Sequence, residues 1–259
     1  MSDRPTGPAL LEALESGAVR AAEPLADGTW RVNAWVKEGI LDLFRGAPTV
    51  AIGDDRELWP FVDKQGLGVR SLDASSGVRL VPGGSAIRRG AHVAAGVVLM
   101  PPSYVNVGAF LGAGSMVDSH VLVGSCAQVG QRVHLSAGVQ IGGVLEPVGS
   151  RPVIVEDEAL IGGQCGLYEG VRVGARAVLG AGVILTGSTR VYDLVREREI
   201  APEGGRPLEI PPGAVVVPGT RPAREGWAGE RGLSLACALV VKYRDGNTDA
   251  KTALESALR

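Results

Sequence analysis

The chain has 259 residues, 26 Lys and Arg against 28 Asp and Glu, and a formal net charge of −2. It is 45% hydrophobic with only 4% Phe, Trp and Tyr, and it carries 38 Gly, about twice the usual ~7% glycine share. This combination excludes disorder, which needs low hydrophobicity and high charge, excludes collagen, which needs a three-residue glycine period, and gives no reason to expect a nucleic-acid partner, which calls for a basic excess. No run approaches the ~18–20 apolar residues of a membrane span. Residues 1–13 lack the cationic and then apolar pattern of a secretory signal. Cys126, Cys165 and Cys237 are odd in number and lack CxxC spacing, against a disulfide framework or a zinc site. A reducing, cytoplasmic compartment is expected.

In chain order, residues 8–17 predict a helix with Leu10, Leu11 and Leu14 on one face and Gly17 placed to stop it. Asn33 is placed to cap a second helix, with Val36, Ile40, Leu43 and Phe44 as its apolar stripe and Gly46 at its end. Trp30, Trp35 and Trp59 also fall in this region. Residues 47–79 carry loop signals at Gly53-Asp-Asp and Ser75-Ser-Gly77 and little else. The expectation is a small, mostly helical packing domain over residues 1–80.

A repeat then takes over. Aliphatic residues recur every six positions at Val81, Ile87, Val93, Leu99, Val105, Leu111, Val117, Val123, Val129, Leu135 and Ile141. Past residues 145–152 the register restarts two residues late and continues through Val155, Ile161, Leu167, Val173, Leu179, Leu185 and Val191. A period of six is too short for a helix pair. It suits a prism-shaped parallel β-helix in which three hexads close a coil and residues 18 apart stack at ~4.8 Å. The anchors point inward as aliphatic ladders, each buried residue contributing roughly 1.5–3 kcal/mol. Small residues that follow them, such as Gly112, Gly124 and Gly162, permit tight corners, and the narrow interior leaves no room for aromatic rings. The β-helix is expected over residues 81–220, and a short β/α extension over 221–259. Within these, residues 192–210 read as a protruding loop, 210–218 as a last coil edge, 235–241 as a strand and 252–259 as a terminal helix.

Chemistry is sparse inside such an array. His92, His120 and His134 are separated by 28 and 14 residues, not by multiples of 18, so one subunit does not gather them on one line; no metal is expected. Cys126 has no His in phase with it, and the Gly-rich stretches read as corners, not phosphate cradles. Asp118, directly after anchor Val117, and Glu169, two after anchor Leu167, stand out as acids in an apolar array. Counting hexads puts them on different faces, more than two coils and so roughly 10 Å or more apart along the axis. If both serve one site, that site lies between subunits.

The strings around these acids carry a resemblance. Trp30-Arg-Val-Asn-Ala-Trp-Val-Lys37, Leu43-Phe-Arg45, Arg79-Leu-Val-Pro-Gly83, Met116-Val-Asp118, Val123-Gly-Ser-Cys-Ala-Gln-Val129, Ile141-Gly-Gly-Val-Leu-Glu-Pro147 and Glu169-Gly-Val171 resemble the tetrahydrodipicolinate N-succinyltransferase family of the diaminopimelate route to lysine. The resemblance implies a left-handed parallel β-helix and a homotrimer with active sites between neighbouring prisms. It implies succinyl transfer from succinyl-CoA, as co-substrate, to the amino group of a ring-opened dicarboxylate. It implies Asp118 as base or amine-orienting group with Glu169 as partner, and Arg79, then Arg88, as substrate-carboxylate ligands. Lys242 and Lys251 are candidates for the CoA phosphates. Lys37-Glu-Gly39, Asn247 and Asp249 depart from the family's usual basic residues. Other readings of the array are an acetyl-CoA-dependent hexapeptide acetyltransferase and a non-catalytic β-helix scaffold.

Overall fold

The structure is a computed structural model describing residues 4–52, 61–202, 205 and 207–246. Helix α1 (Gly7–Glu15) buries Leu10, Leu11 and Leu14 and ends as read, with Gly17 at φ +78°. Helix α2 (Ala34–Gly46) buries Val36 and Ile40. Asn33 precedes it but does not cap it; its amide instead donates to the Arg20 carbonyl and to Glu23 Oε1, at 2.9 and 2.8 Å. The stretch that carried little signal contains an antiparallel hairpin, Thr49–Ile52 with Phe61–Lys64. Trp59 and the Gly53 loop lie outside the described residues, as does the predicted 252–259 helix.

From residue 79 the chain winds into a three-faced parallel β-helix. Face one stacks Arg79–Leu80, Val98–Leu99, Met116–Val117, His134–Leu135, Leu160–Ile161 and Val178–Leu179. Face two runs from Ala86–Ile87 to Ile184–Leu185, and face three from His92–Val93 to Glu209–Ile210. In each two-residue strand after the first, whose Leu80 is 39% exposed, the second residue is buried, so Val, Ile and Leu form one continuous column. The first anchor is corrected by one residue: Leu80, not Val81, pairs with Leu99. The last is corrected too. Val191 leaves the prism to pair with Ala238, and Ile210 takes the position beside Val173.

The interruption after Ile141 is also different from the two-residue slip read in the sequence. Face-three neighbours pair at a spacing of 18 below it, as in Phe110↔Gln128, and at 26 across it, as in Gln128↔Ile154. It is therefore an eight-residue insertion at the corner between faces two and three, and no strand is skipped. A six-residue period does not separate the two cases, because 14 residues is both two hexads plus two and one hexad plus eight.

Glycine serves two purposes at the corners. The left-handed backbone falls three residues after the anchor, at Gly90, Gly96, Gly108, Gly114, Gly138 and Gly182, and also at non-glycines such as His120, Cys126, Arg132 and Gln164. The glycines directly after the anchor solve a different problem, the close approach of stacked coils. A Cβ on Gly112 would lie 2.5 Å from the Gly130 carbonyl oxygen, and one on Gly124 would fall against the Gly143 backbone nitrogen.

The N-terminal unit packs on the corner between faces two and three, where Leu10, Leu11, Leu14, Val36, Ile40 and Leu67 form a second core with Val107 and Cys126 of the prism. At the far end, Ala214–Pro222 closes the last coil and runs on into a long antiparallel hairpin with Ser234–Tyr243. Residues 192–210, read as a loop, contain the hairpin Val191–Asp193 with Arg198–Ile200. Among the described residues, no helix is long and apolar enough to cross a membrane.

Gly124→Ala is expected to destabilise the fold by about 1–3 kcal/mol through overpacking. Gly149→Ala, in the insertion with open space around it, is expected to stay within about 0.5 kcal/mol of the parent. Denaturant titration of the two variants measures the difference; equal effects would contradict the coil-contact reading of Gly124.

Candidate active site

Asp118 follows the face-one strand Met116–Val117 and so sits on the corner leading to face two. Its main-chain N–H joins the coil ladder at the Leu135 carbonyl. The Ser103 hydroxyl donates to its carbonyl at 2.8 Å, and its Oδ1 accepts the Ser119 N–H at 2.8 Å. The half-buried carboxylate is thus aimed along the prism edge by its own corner. Arg79 begins the first strand of the same face, two coils below Met116 and exposed. Strand spacing separates the two levels by ~10 Å.

Glu169 occupies the next corner, between faces two and three, seven strands after Asp118 and ~11 Å further along the axis at the usual strand spacing. Its backbone is unlike the other corners. Glu169 has φ +53° and Gly170 follows at +73°, so two successive residues have positive φ, as at Gly83-Gly84, but here the first of them carries a side chain. A side chain in this region costs free energy that surrounding contacts must offset. Here the Gly187 N–H, one coil on, donates to Glu169 Oε2 at 2.8 Å, and a Cβ on Gly187 would press on that oxygen. Beside the exposed Glu169 lies an open cavity of about 490 Å³, walled by Tyr168, Thr186 and the insertion residues Val144, Glu146, Pro147 and Ser150. Asp118 is not part of this cavity. Within one chain the two acids therefore stand on separate edges of the prism.

Arg88 is occupied differently. Its guanidinium reaches Asp63 Oδ2 at 2.5 Å, the Leu67 carbonyl at 2.9 Å and Asn106 Oδ1 at 3.4 Å, and lies over the Phe44 ring. These contacts tie the N-terminal hairpin to the prism. Lys242, on the terminal hairpin, is half-buried and pairs with Asp245 at 3.2 Å; Lys251 lies outside the described residues. His92 stacks on Phe110 on face three, His134 is on face one, and His120 is at an exposed corner. Among the described residues, no group of three or more His, Cys, Asp or Glu is arranged to hold a metal.

Two family profiles match the chain: one described as Tetrahydrodipicolinate N-succinyltransferase N-terminal over residues 8–45, and one described as Hexapeptide repeat of succinyl-transferase over residues 152–187. A 2,3,4,5-tetrahydropyridine-2,6-dicarboxylate N-succinyltransferase of Xylella fastidiosa (strain Temecula1) is 43% identical over 262 residues, covering 100% of this chain and 89% of that one. The chain belongs to the tetrahydrodipicolinate N-succinyltransferase family. A protein of the same name from Chelativorans sp. (strain BNC1) is also 43% identical, over 97% of this chain and 87% of its own. Among solved structures, a Campylobacter jejuni chain described as a 2,3,4,5-tetrahydropyridine-2-carboxylate N-succinyltransferase superposes with a TM-score of 0.55 at 18% identity, over 89% of this chain and 61% of that one. The shared fold is the left-handed parallel β-helix with a small helical N-terminal part.

The pattern of spacing and resemblance did not single out the cavity wall, Tyr168 with the insertion, or the side chain behind that wall. Lys37 is fully buried on α2. It lies three residues before Ile40 and seven before Phe44, on the apolar stripe itself, and a lysine on that stripe was the available signal.

Arg88→Met is expected to lower folding stability by about 1.5–3 kcal/mol, the range for hydrogen bonds to charged groups, while leaving substrate KM unchanged. Chemical denaturation alongside steady-state kinetics checks this. A large KM change with unaltered stability would make Arg88 a substrate ligand instead.

Proposed function

We propose that the protein transfers the succinyl group of succinyl-CoA to the amino group of ring-opened tetrahydrodipicolinate, L-2-amino-6-oxopimelate, giving N-succinyl-2-amino-6-oxopimelate and CoA. The observation that carries this reading is the 43% identity to relatives of that name, which spans the whole chain, N-terminal unit and coils alike. The reaction belongs to a cytoplasmic biosynthetic route to diaminopimelate and lysine.

The chemistry asks for few groups. The acceptor amine must shed a proton as its nitrogen attacks the thioester carbonyl, and a positioned carboxylate serves as that base. Asp118 takes this role, and Glu169, with one oxygen fixed by Gly187, orients the amine from the other side. The tetrahedral oxyanion is met by main-chain N–H donors at a coil corner. Its collapse breaks the carbon–sulfur bond and releases the CoA thiolate, which is protonated. Arg79 offers a planar fork for one acceptor carboxylate, and Lys242 and Lys251 meet the CoA phosphates. Because Asp118 and Glu169 occupy different edges of one prism, the complete site forms where the Asp118 edge of one subunit meets the Glu169 edge of the next. Three such junctions close a homotrimer.

Assaying thiol release from succinyl-CoA and acetyl-CoA with tetrahydrodipicolinate tests the reading. Turnover with succinyl-CoA is expected, as is its loss by about 10²–10⁴-fold in a folded Asp118→Asn variant. Turnover with acetyl-CoA alone would overturn the donor assignment. An active Asp118→Asn variant would remove Asp118 from the proton path.

A further inference from the structure

Lys37 has no place in the chemistry above, yet among the described lysines it alone is fully buried. Its ammonium faces no carboxylate partner; it donates to the main-chain carbonyl of Ser150 at 2.5 Å. Burial pulls its pKa down, disfavouring the charged form. Well-packed apolar replacements for buried charged groups are often neutral or stabilising, so stability alone does not account for a lysine here. What it holds is the eight-residue insertion. Two weaker attachments hold the same segment to α2: Leu145 packs against the N-terminal core, and Arg45 lies 3.8 Å from Glu146. The insertion supplies Val144, Glu146, Pro147 and Ser150 to the cavity whose opposite wall carries Tyr168 and Glu169.

We propose that Lys37 is a positioning residue for the acceptor half of the active site. From inside the N-terminal unit it clamps the Ser150 carbonyl, and this fixes the insertion as the wall that holds the amino end of the acceptor against Glu169. The N-terminal unit is then part of the substrate-binding apparatus, with the Lys37–Ser150 hydrogen bond as its buried attachment to the insertion, although it contributes no group to the chemistry. The assignment to the acceptor, and not the acyl donor, rests on the two carboxylates that line this cavity of about 490 Å³, Glu146 and Glu169, which beside Tyr168 and Thr186 suit the amino end of the acceptor and repel CoA phosphates; the acceptor's own carboxylates are met outside the cavity, as at Arg79. Loss of the clamp leaves the Ser150 carbonyl free to turn to water, because Ser150 is already half exposed. The loop moves and the fold survives.

The kinetic part of this inference rests on the proposed succinyl transfer; the structural part does not. Wild type, Lys37→Met and Lys37→Arg are compared by steady-state kinetics with each substrate varied in turn, by thermal unfolding, and by amide hydrogen exchange across residues 143–152. Lys37→Met is expected to unfold at or above the wild-type temperature and to exchange faster in residues 143–152. Its KM for the acceptor should rise about tenfold or more, the scale of effect that sub-ångström to ångström misplacement produces, with KM for succinyl-CoA within about twofold. Lys37→Arg, which keeps a donor, should recover part of the loss. An unchanged acceptor KM, or a parallel loss in both KM values together with the unfolding temperature, would overturn the positioning role. If the wild type transferred no succinyl group, the proposed function would fall. The exchange comparison would still decide the clamp: faster exchange confined to residues 143–152 supports it, and unchanged exchange overturns it. Should Lys37→Met fail to fold, Lys37→Gln, whose shorter amide falls short of Ser150, takes its place in the same comparison.

Discussion

The constraint on which this molecule depends is the vertical spacing of its coils. Each two-residue strand hydrogen-bonds the equivalent strand one coil away, at ~4.8 Å. That distance dictates the aliphatic column inside, the glycines where main chains would otherwise collide, and the scarcity of rings within the prism. A rod built this way has flat faces and edges but no deep internal pocket, and polar groups reach solvent from the outward residue of each strand, as at Arg79, and from the corners. Asp118 and Glu169 are both corner residues, and two corners of one rod do not converge.

One edge is specialised. Along the corner between faces two and three lie, in ascending order, Val107 and Cys126 under the N-terminal helices, the insertion after Ile141, and then Glu169 and Gly187. Cys126 is sealed there, its thiol pushed up to about 12 by burial, which suits packing and not nucleophilic chemistry. The helical unit thus covers the lower part of the edge and reaches, through Lys37, to the segment beside Glu169. Glu169, a non-glycine at φ +53° directly before Gly170 at +73°, completes the series.

Much of this was legible in the sequence, for a physical reason. Inward-facing aliphatics must recur every six residues for the column to close, so strands such as Met116–Val117 and Leu160–Ile161 announce themselves, and with them the separation of Asp118 from Glu169. What escaped shares a cause as well. A strict period does not distinguish a slip from an insertion that differs from it by one hexad, so the insertion after Ile141 was misjudged. At the rod's ends stacking applies on one side only, so Val81 was read for Leu80, and Val191 for the Ile210 that pairs with Val173. In the Thr49–Ile52 and Phe61–Lys64 hairpin the second strand exposes Phe61 and Val62 and half-buries Asp63 and Lys64, the reverse of a hydrophobic-in pattern. Glycine was recognised at the corners, but its reason at Gly124 is the neighbouring coil and not its own dihedral angle. The two acids at the prism corners, Asp118 and Glu169, were visible. The wall beside one of them was not, because the lysine in the apolar helical stripe has its partner, Ser150, 113 residues away.

The central claim, that Asp118 and Glu169 act together only across a subunit boundary, is tested most directly by mixing subunits. Asp118→Asn and Glu169→Gln chains, each inactive as a homotrimer, are co-expressed in equal amounts, and the mixed trimers are assayed for succinyl transfer. In a threefold-symmetric trimer with sites at the junctions, one junction in four pairs an intact Asp118 with an intact Glu169, so about a quarter of wild-type activity returns. Mixed trimers as inactive as their parents would place both acids in the site of a single chain and contradict the account.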